Sequence, residues 1–409
     1  MVGEDIGGQV KSSMQWANGE VNAPNILSEP KRSDLSINQK NWSLRPPGAA
    51  ILPATGLLIG LSLGQSIQLG LLSCSVIGGY GWLLLFKKFC INKHIIFIVA
   101  IFLGLKTGTS IYSYASANII LYALVPWFLL LTFIISGRLR EWKPSFREYL
   151  IIGLFLFVLG CFAWIKLSGL IVSGTIGACL FFMLSNRCAK SERMKFFLAF
   201  GILGLLFWSP FLVLEKANYS LTGITADQLY GGNDSDIQAP LFGKFWGDST
   251  KGAWLLWSLV SAPGYSLPVR DIAHGLRDFG MQFEQFIKWI DIYSINEHVL
   301  LCGIVGILFS IMLASEIKRC WSALKTDHKI TICCFLSLPF IGLCILAFRY
   351  QWNYLLYHAH TSEFWLIFAI PTLLVCSSLK KLGPSSTILF GIIVALPLTT
   401  HLELSLIHI

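Results

Sequence analysis

Residues 119–135 read IILYALVPWFLLLTFII, a run of 17 residues without a charged side chain. A helix needs about 20 predominantly apolar residues to cross the hydrocarbon core of a bilayer, and this run approaches that length. The whole chain is 55% hydrophobic and only 13% charged, with a mean hydropathy of +0.65. Soluble globular proteins are about 25% charged. The sequence therefore excludes an ordinary soluble protein and predicts an integral membrane protein.

Apolar segments of similar length recur along the chain. About ten of them are predicted to span the membrane: 67–86, 94–111, 116–136, 149–165, 169–185, 195–214, 298–315, 329–348, 362–378 and 386–402. The fold class predicted is an all-α polytopic membrane protein with extracytosolic juxtamembrane helices and one long extracytosolic loop.

The placement of the basic residues predicts which way the spans run. Five connections between spans contain 17 of the 31 Lys/Arg in the chain. They are 87–93 with 3, 137–148 with 4, 186–195 with 4, 316–329 with 4 and 379–383 with 2. Every second connection is thus basic, as the positive-inside rule requires of the cytoplasmic side. The alternate loops, including 215–297, are predicted to be extracytosolic. We expect a multi-pass protein of a bacterial inner or plasma membrane.

The side on which residues 1–48 lie depends on the segment 49–66, AAILPATGLLIGLSLGQS. Pro53, Gly56, Gly60 and Gly64 interrupt it, and it is short for a span. An interfacial or re-entrant element is the preferred interpretation, and it places the amino-terminal segment outside. A crossing at 49–66 stays open, because Pro and Gly are tolerated in membrane helices. The predicted divisions are a loop with juxtamembrane helices at 1–66, spans at 67–214, a long loop at 215–297, spans at 298–403 and a tail at 404–409.

Short motifs in the amino-terminal segment carry a family resemblance. Glu4-Asp5 is followed by GEVNAP (19–24), which matches a G-[D/E]-x-x-x-P pattern, and by Arg45-Pro46-Pro47-Gly48. Further on come WIKLSGLIV (164–172) and the arginine- and aromatic-rich FRYQWNYLLYHAHTSEFW (348–365). In this order the motifs resemble the integral-membrane C-type (GT-C) glycosyltransferases, in particular the protein mannosyltransferase and aminoarabinose transferase branch.

The resemblance implies an enzyme that moves a sugar from a polyprenyl-phosphate donor to a lipid, glycan or protein acceptor. Such a reaction needs a base for the acceptor, a cation for the leaving phosphate and a site at the bilayer surface. Asp5 is the catalytic base that the resemblance implies, with Glu4 as its partner. From spacing alone, helix N-capping by Asp5 is at least as good an interpretation. Arg45 is the implied phosphate ligand, and an interfacial arginine reaching lipid headgroups is its alternative role.

Other predicted substrate-binding residues border later loops. Asn118 stands where the family often has a second acid, and Asn cannot act as a base. Lys106 and Tyr112 flank the same loop, while Arg349 and His360 lie in the last predicted extracytosolic loop. Ionisable residues at a membrane edge are functional candidates by default. No cofactor is required by the sequence, a divalent cation stays open, and no motif for nucleic acid is present.

Two rival functions stay open. An O-antigen polymerase or ligase-like enzyme also combines many spans with one long external loop, and it would depend on Arg270, His274 and Arg277. A degenerate family member without catalysis stays open because of Asn118 and the expected missing first span.

The termini carry a separate expectation. Members of the family have a span before the acidic pair, and LSLIHI (404–409) is what a transposon end would encode. We therefore expect a chain clipped at both ends, and a genomic read through either end that matched the chain would contradict this.

Overall fold

The fold is known from a computed structural model, which describes residues 13–14, 17–19, 48–89, 118–139, 145–166, 169–222, 307–349, 369–375 and 388. The described residues are helical apart from turns, with no strand among them. The chain divides into two compact units: Met1–Leu85 with Thr107–Gly232, and Phe86–Lys106 with Asn233–Ile409. The all-α prediction is confirmed for this part of the chain.

The helices of the first unit are numbered here in chain order. They are α1 (Gly48–Leu58), α2 (Leu63–Phe89, whose last residues belong to the second unit), α3 (Asn118–Arg138), α4 (Phe146–Gly160), α5 (Phe162–Ile165), α6 (Gly169–Arg187) and α7 (Arg193–Thr222), with a 3₁₀ turn at Lys190–Glu192 before α7. In the second unit the described elements include α8 (helical residues 307–320) and α9 (Thr326–Arg349).

Four helical stretches are long and apolar enough to cross a membrane: Leu63–Lys88, Phe146–Ile165, Gly169–Arg187 and Lys190–Lys216. They coincide with the predicted spans 67–86, 149–165, 169–185 and 195–214. The predicted spans 116–136 and 329–348 fall on α3 and α9. The span predicted at 94–111 lies outside the described residues, as does nearly all of the one at 386–402. An integral membrane protein is therefore supported, while the full set of ten spans stays a prediction.

The segment 49–66 forms a helix, a turn and the start of a second helix. α1 has 11 residues, which at 1.5 Å per residue is about half the thickness of the hydrocarbon core. The chain turns at Gly60, whose φ of 87° suits glycine. Ser62 and Gln65 then cap α2, because the Ser62 N–H donates to Gln65 Oε1 (3.0 Å) and the Gln65 N–H donates to Ser62 Oγ (3.3 Å).

Close approaches of helices build the first unit. α1 folds back on α2, and a Cβ at Gly56 would lie 2.6 Å from Ser66 Oγ. α4 packs along α7, and a Cβ at Gly160 would lie only 2.0 Å from the carbonyl oxygen of Phe207. Small residues that let helix backbones meet are typical of membrane helix packing, where the hydrophobic effect supplies no force between helices.

The contacts also give the helix directions. α2 and α3 are parallel: Ile67 and Ile120 pack on the cluster of Leu71, Cys74 and Ala123, and further along both helices Trp127 Nε1 donates to the Ile77 oxygen (2.9 Å).

Two more pairs of helices follow from glycine contacts. α4 and α7 are parallel, since Gly153 faces Leu203 while Gly160 faces Phe207. α6 opposes α4, because Gly169 faces Phe162 whereas Gly177 faces Leu156 and Leu159.

These directions gather the basic helix ends of the first unit. α3 and α6 end at Arg138 and Arg187, whereas α4 and α7 begin near Arg147 and at Arg193. The starts of α3 and α6 meet at the opposite side, where Leu121 touches the position of Gly169. We call the first side the basic end and the second, formed by Gly48, Leu121, Ile165 and Gly169, the junction end.

Candidate functional site at the junction end

Two of the eight predicted site residues fall in described helices. Asn118 is the first residue of α3 and Arg349 is the last residue of α9. The others lie outside the described residues: Glu4, Asp5, Arg45, Lys106, Tyr112 and His360. The structure therefore bears on the predicted site only through the described residues next to its motifs.

The residues that follow Glu4-Asp5 contact the helix that follows Arg45. Ser13 is completely buried, and its hydroxyl donates to the carbonyl oxygen of Ala50 at 2.8 Å. Ala50 lies in the first turn of α1, which begins at Gly48, directly after Arg45-Pro46-Pro47. A buried hydrogen bond thus joins two described positions that are 37 residues apart in the chain.

The start of α1 in turn lies against the third motif, WIKLSGLIV. A Cβ at Gly48 would lie 2.8 Å from both the Ile165 Cα and the Trp164 carbonyl oxygen. Only glycine allows this approach without movement of one backbone. The Arg-Pro-Pro-Gly motif therefore ends on the α5–α6 junction.

The junction itself is held from two sides. Trp164 Nε1 donates to the carbonyl oxygen of Pro210 in α7 (2.8 Å), and the Gly169 N–H donates to the Lys166 oxygen (2.9 Å). Gly169 also lies against Leu121, one turn into α3. Because α3 begins at Asn118, the predicted substrate-binding residue Asn118 starts a helix at this same end.

Lys166 is a functional candidate that was not selected from the sequence. It is partly exposed and has an extended backbone (φ −159°, ψ 134°) between α5 and α6. The sequence does single out Lys166, since it is the only ionisable residue other than cysteine between Tyr149 and Arg187. A lone lysine at the edge of two apolar, membrane-length helices is a functional candidate by default.

Glu215 is a second candidate at this end. It lies in α7 five residues after Pro210, beyond the level of Trp164, and its Oε1 atom is buried. The sequence signal was a single carboxylate at the end of a long apolar run, which was assigned to the start of the loop 215–297. Together with Lys166 it provides the junction end with side chains of both charges.

The described residues contain no group of three or more His, Cys, Asp and Glu side chains that could hold a metal ion. Glu4 and Asp5 lie outside that part of the chain, so the divalent cation stays open.

No family model, curated protein or solved structure matches the chain.

Proposed function

We propose that the protein is a membrane glycosyltransferase that transfers a sugar from a polyprenyl-phosphate donor to a lipid, glycan or protein acceptor at the junction end. The observation that carries the proposal is the contact of Gly48 with Trp164 and Ile165. It brings the segment after Arg45 against the turn that holds Lys166, while Ser13 ties the segment after Asp5 to the same helix. Gly48, the last residue of one family motif, thus contacts Trp164 and Ile165 of another, and Ser13, eight residues after Asp5, is bonded to the same helix α1.

In the proposed reaction the acceptor hydroxyl or amine attacks the anomeric carbon of the sugar. The bond between that carbon and the phosphate oxygen breaks, and its electron pair leaves with polyprenyl phosphate. Asp5, assisted by Glu4, takes the proton of the acceptor. Arg45 and Lys166 stabilise the charge that develops on the leaving phosphate.

The membrane-length helices also support the proposal, because the tail of a polyprenyl-phosphate donor remains in the bilayer. Helices α2, α6 and α7, and α4 together with α5, each include a stretch long enough to cross the hydrocarbon core. Their outer faces carry exposed apolar side chains such as Leu154, Leu198, Ile202 and Leu205. A phosphate bound at the junction end would lie at the level where such helices reach the membrane surface.

The proposal includes the ten-span topology and the sidedness. The basic end of the first unit gathers Arg138, Arg147, Arg187 and Arg193, and the positive-inside rule assigns such an end to the cytoplasm. The junction end is then extracytosolic, in a bacterial inner or plasma membrane, and α1 is an interfacial element.

The test measures sugar transfer and the cellular pool of polyprenyl-phosphate sugar in cells that carry Asp5→Asn, Arg45→Ala or Lys166→Ala as their only copy of the gene. We expect at least a roughly 100-fold loss of transfer for Asp5→Asn and donor accumulation in all three. Glu192→Gln and Arg193→Ala are the matched controls, since both residues lie at the basic end.

Wild-type transfer by Asp5→Asn and Arg45→Ala, at equal protein levels, would refute the assigned site. Loss of activity in Arg277→Ala together with normal Asp5→Asn would favour the polymerase or ligase-like alternative. Donor pools that stay unchanged in a gene deletion would favour a protein without catalysis.

A further inference from the structure

The connection between α8 and α9 carries a concentrated positive charge. Lys318 and Arg319 end α8, and Lys325 and Lys329 flank the start of α9. Two carboxylates lie among them, and one is already engaged: the buried Glu316 accepts from Arg319 Nε at 3.0 Å. The connection therefore keeps an excess of lysine charge.

The second carboxylate lies close to another lysine. Asp327 lies near enough to Lys88, in the same unit, to attract it electrostatically. The four cations of residues 316–329 outnumber the two acids, and Lys318 and Lys325 are exposed while Lys329 is partly exposed, so these three lysines form a basic surface.

A tryptophan is part of this surface. Trp321 is 38% exposed, and Lys329 Nζ lies 5.4 Å from the centroid of its ring. That distance is within the range of a cation–π interaction, which holds the ammonium group at the ring face. Tryptophan with lysine is typical of the headgroup level of a membrane, where the ring is apolar and its surroundings are wet.

An exposed apolar stripe leads along α8 to the basic surface. Leu308 is 56% exposed and Ile311 is 60% exposed, and Ser315 and Lys318 continue the stripe at helical spacing. On α9, Ile341 lies about three turns after Lys329 and is 49% exposed. A phospholipid has acyl chains that lead to a charged phosphate. The apolar residues of this stripe match the acyl chains, and the lysines at its end match the phosphate.

From this arrangement we propose that the α8–α9 connection binds one anionic phospholipid of the surrounding bilayer. Its phosphate would lie between Lys318, Lys325 and Lys329, its glycerol beside Trp321 and one acyl chain along Leu308 and Ile311. The excess of lysine charge selects an anionic headgroup over a zwitterionic one, since each such lysine contributes attraction to acidic lipid. The inference is independent of the proposed transferase.

The test is native mass spectrometry of the full-length protein in detergent, with phosphatidylglycerol, phosphatidylethanolamine or a polyprenyl phosphate added in turn. We expect the wild type to retain phosphatidylglycerol about 10-fold better than phosphatidylethanolamine. The double variant Lys325→Gln/Lys329→Gln should lower phosphatidylglycerol retention by about 10-fold or more. Lys329→Arg keeps the charge and should retain the lipid.

The matched control is Lys190→Gln/Lys195→Gln, which removes two lysines from the basic end of the first unit. An equal loss in this control would show a general charge effect and overturn the proposal. Equal retention of phosphatidylethanolamine, or preference for the polyprenyl phosphate over phosphatidylglycerol, would also overturn it. Size-exclusion chromatography checks that each variant remains folded.

Discussion

The contact between α4 and α7 at Gly160 can be tested by adding a single methyl group. An alanine Cβ at this position would lie 2.0 Å from the Phe207 carbonyl oxygen, where real Cβ contacts are no shorter than 3.0 Å. The two helices would have to move apart by about 1 Å, the difference between these distances. The obstacle is backbone, so no side-chain rotation relieves it.

The expected cost of Gly160→Ala is that of overpacking a close helix contact, about 1–3 kcal/mol of unfolding free energy. Replacing glycine by alanine inside a helix by itself gains up to about 1 kcal/mol. Gly204→Ala in α7 controls for that gain, because a Cβ at Gly204 has nothing within 4 Å. The control should be as stable as the wild type or more stable, and Gly160→Ala should be less stable than both.

The measurement is equilibrium unfolding of the purified protein in mixed micelles, with near-ultraviolet circular dichroism as the signal. Agreement of the two variants within about 0.5 kcal/mol would refute the close backbone contact. Because Trp164 and Pro210 follow this contact along α4–α5 and α7, a folded Gly160→Ala protein should also lose sugar transfer.

Three further predictions concern single side chains. Trp164→Phe removes the donor to the Pro210 oxygen and should lower the unfolding free energy by about 1 kcal/mol; unchanged stability in the same assay would contradict this. Burial lowers the pKa of His328 to about 4, and Lys325 also lowers it, so protonation opposes folding. As the pH falls from about 6.5 towards 4, the wild type should therefore lose stability relative to His328→Gln; parallel pH profiles of unfolding would argue otherwise. A Ser12→Cys protein should react with a membrane-impermeant thiol reagent from outside, and protection in intact cells would place the amino-terminal segment in the cytoplasm.

The sequence predicts helix positions well because the length of an apolar run directly indicates the length of a membrane-spanning helix. The spans predicted at 149–165, 169–185 and 195–214 correspond to α4 with α5, α6 and α7. Their ends differ because the helices continue into polar residues: α4 begins after Ser145, whose N–H donates to Glu148 (2.6 Å), and α7 continues to Thr222. Apolarity marks the hydrocarbon core, whereas polar caps lie outside it and carry no hydropathy signal.

The meeting of Gly48 with Trp164 and Ile165 could not be predicted in the same way. Spans that are apolar all round give no indication of which faces touch, and glycines that permit a close approach resemble glycines that do not. Gly160 and Gly204 show this, since both lie in apolar helices and only Gly160 has a neighbouring backbone in contact. Lys166 was overlooked for a related reason, because its place at a junction depends on packing partners distant in the chain.

The helix directions have an electrostatic consequence for the junction end. α1, α3 and α6 all begin there, at Gly48, Asn118 and Gly169. A helix start presents up to four backbone N–H groups without an acceptor inside the helix, and the aligned peptide dipoles add roughly half a positive charge. The carboxyl end of α5, at Ile165, lies at the same end and offsets part of this charge. In the proposed reaction the three helix starts would thus provide the departing phosphate with positive charge that comes from the backbone and that no side-chain substitution removes.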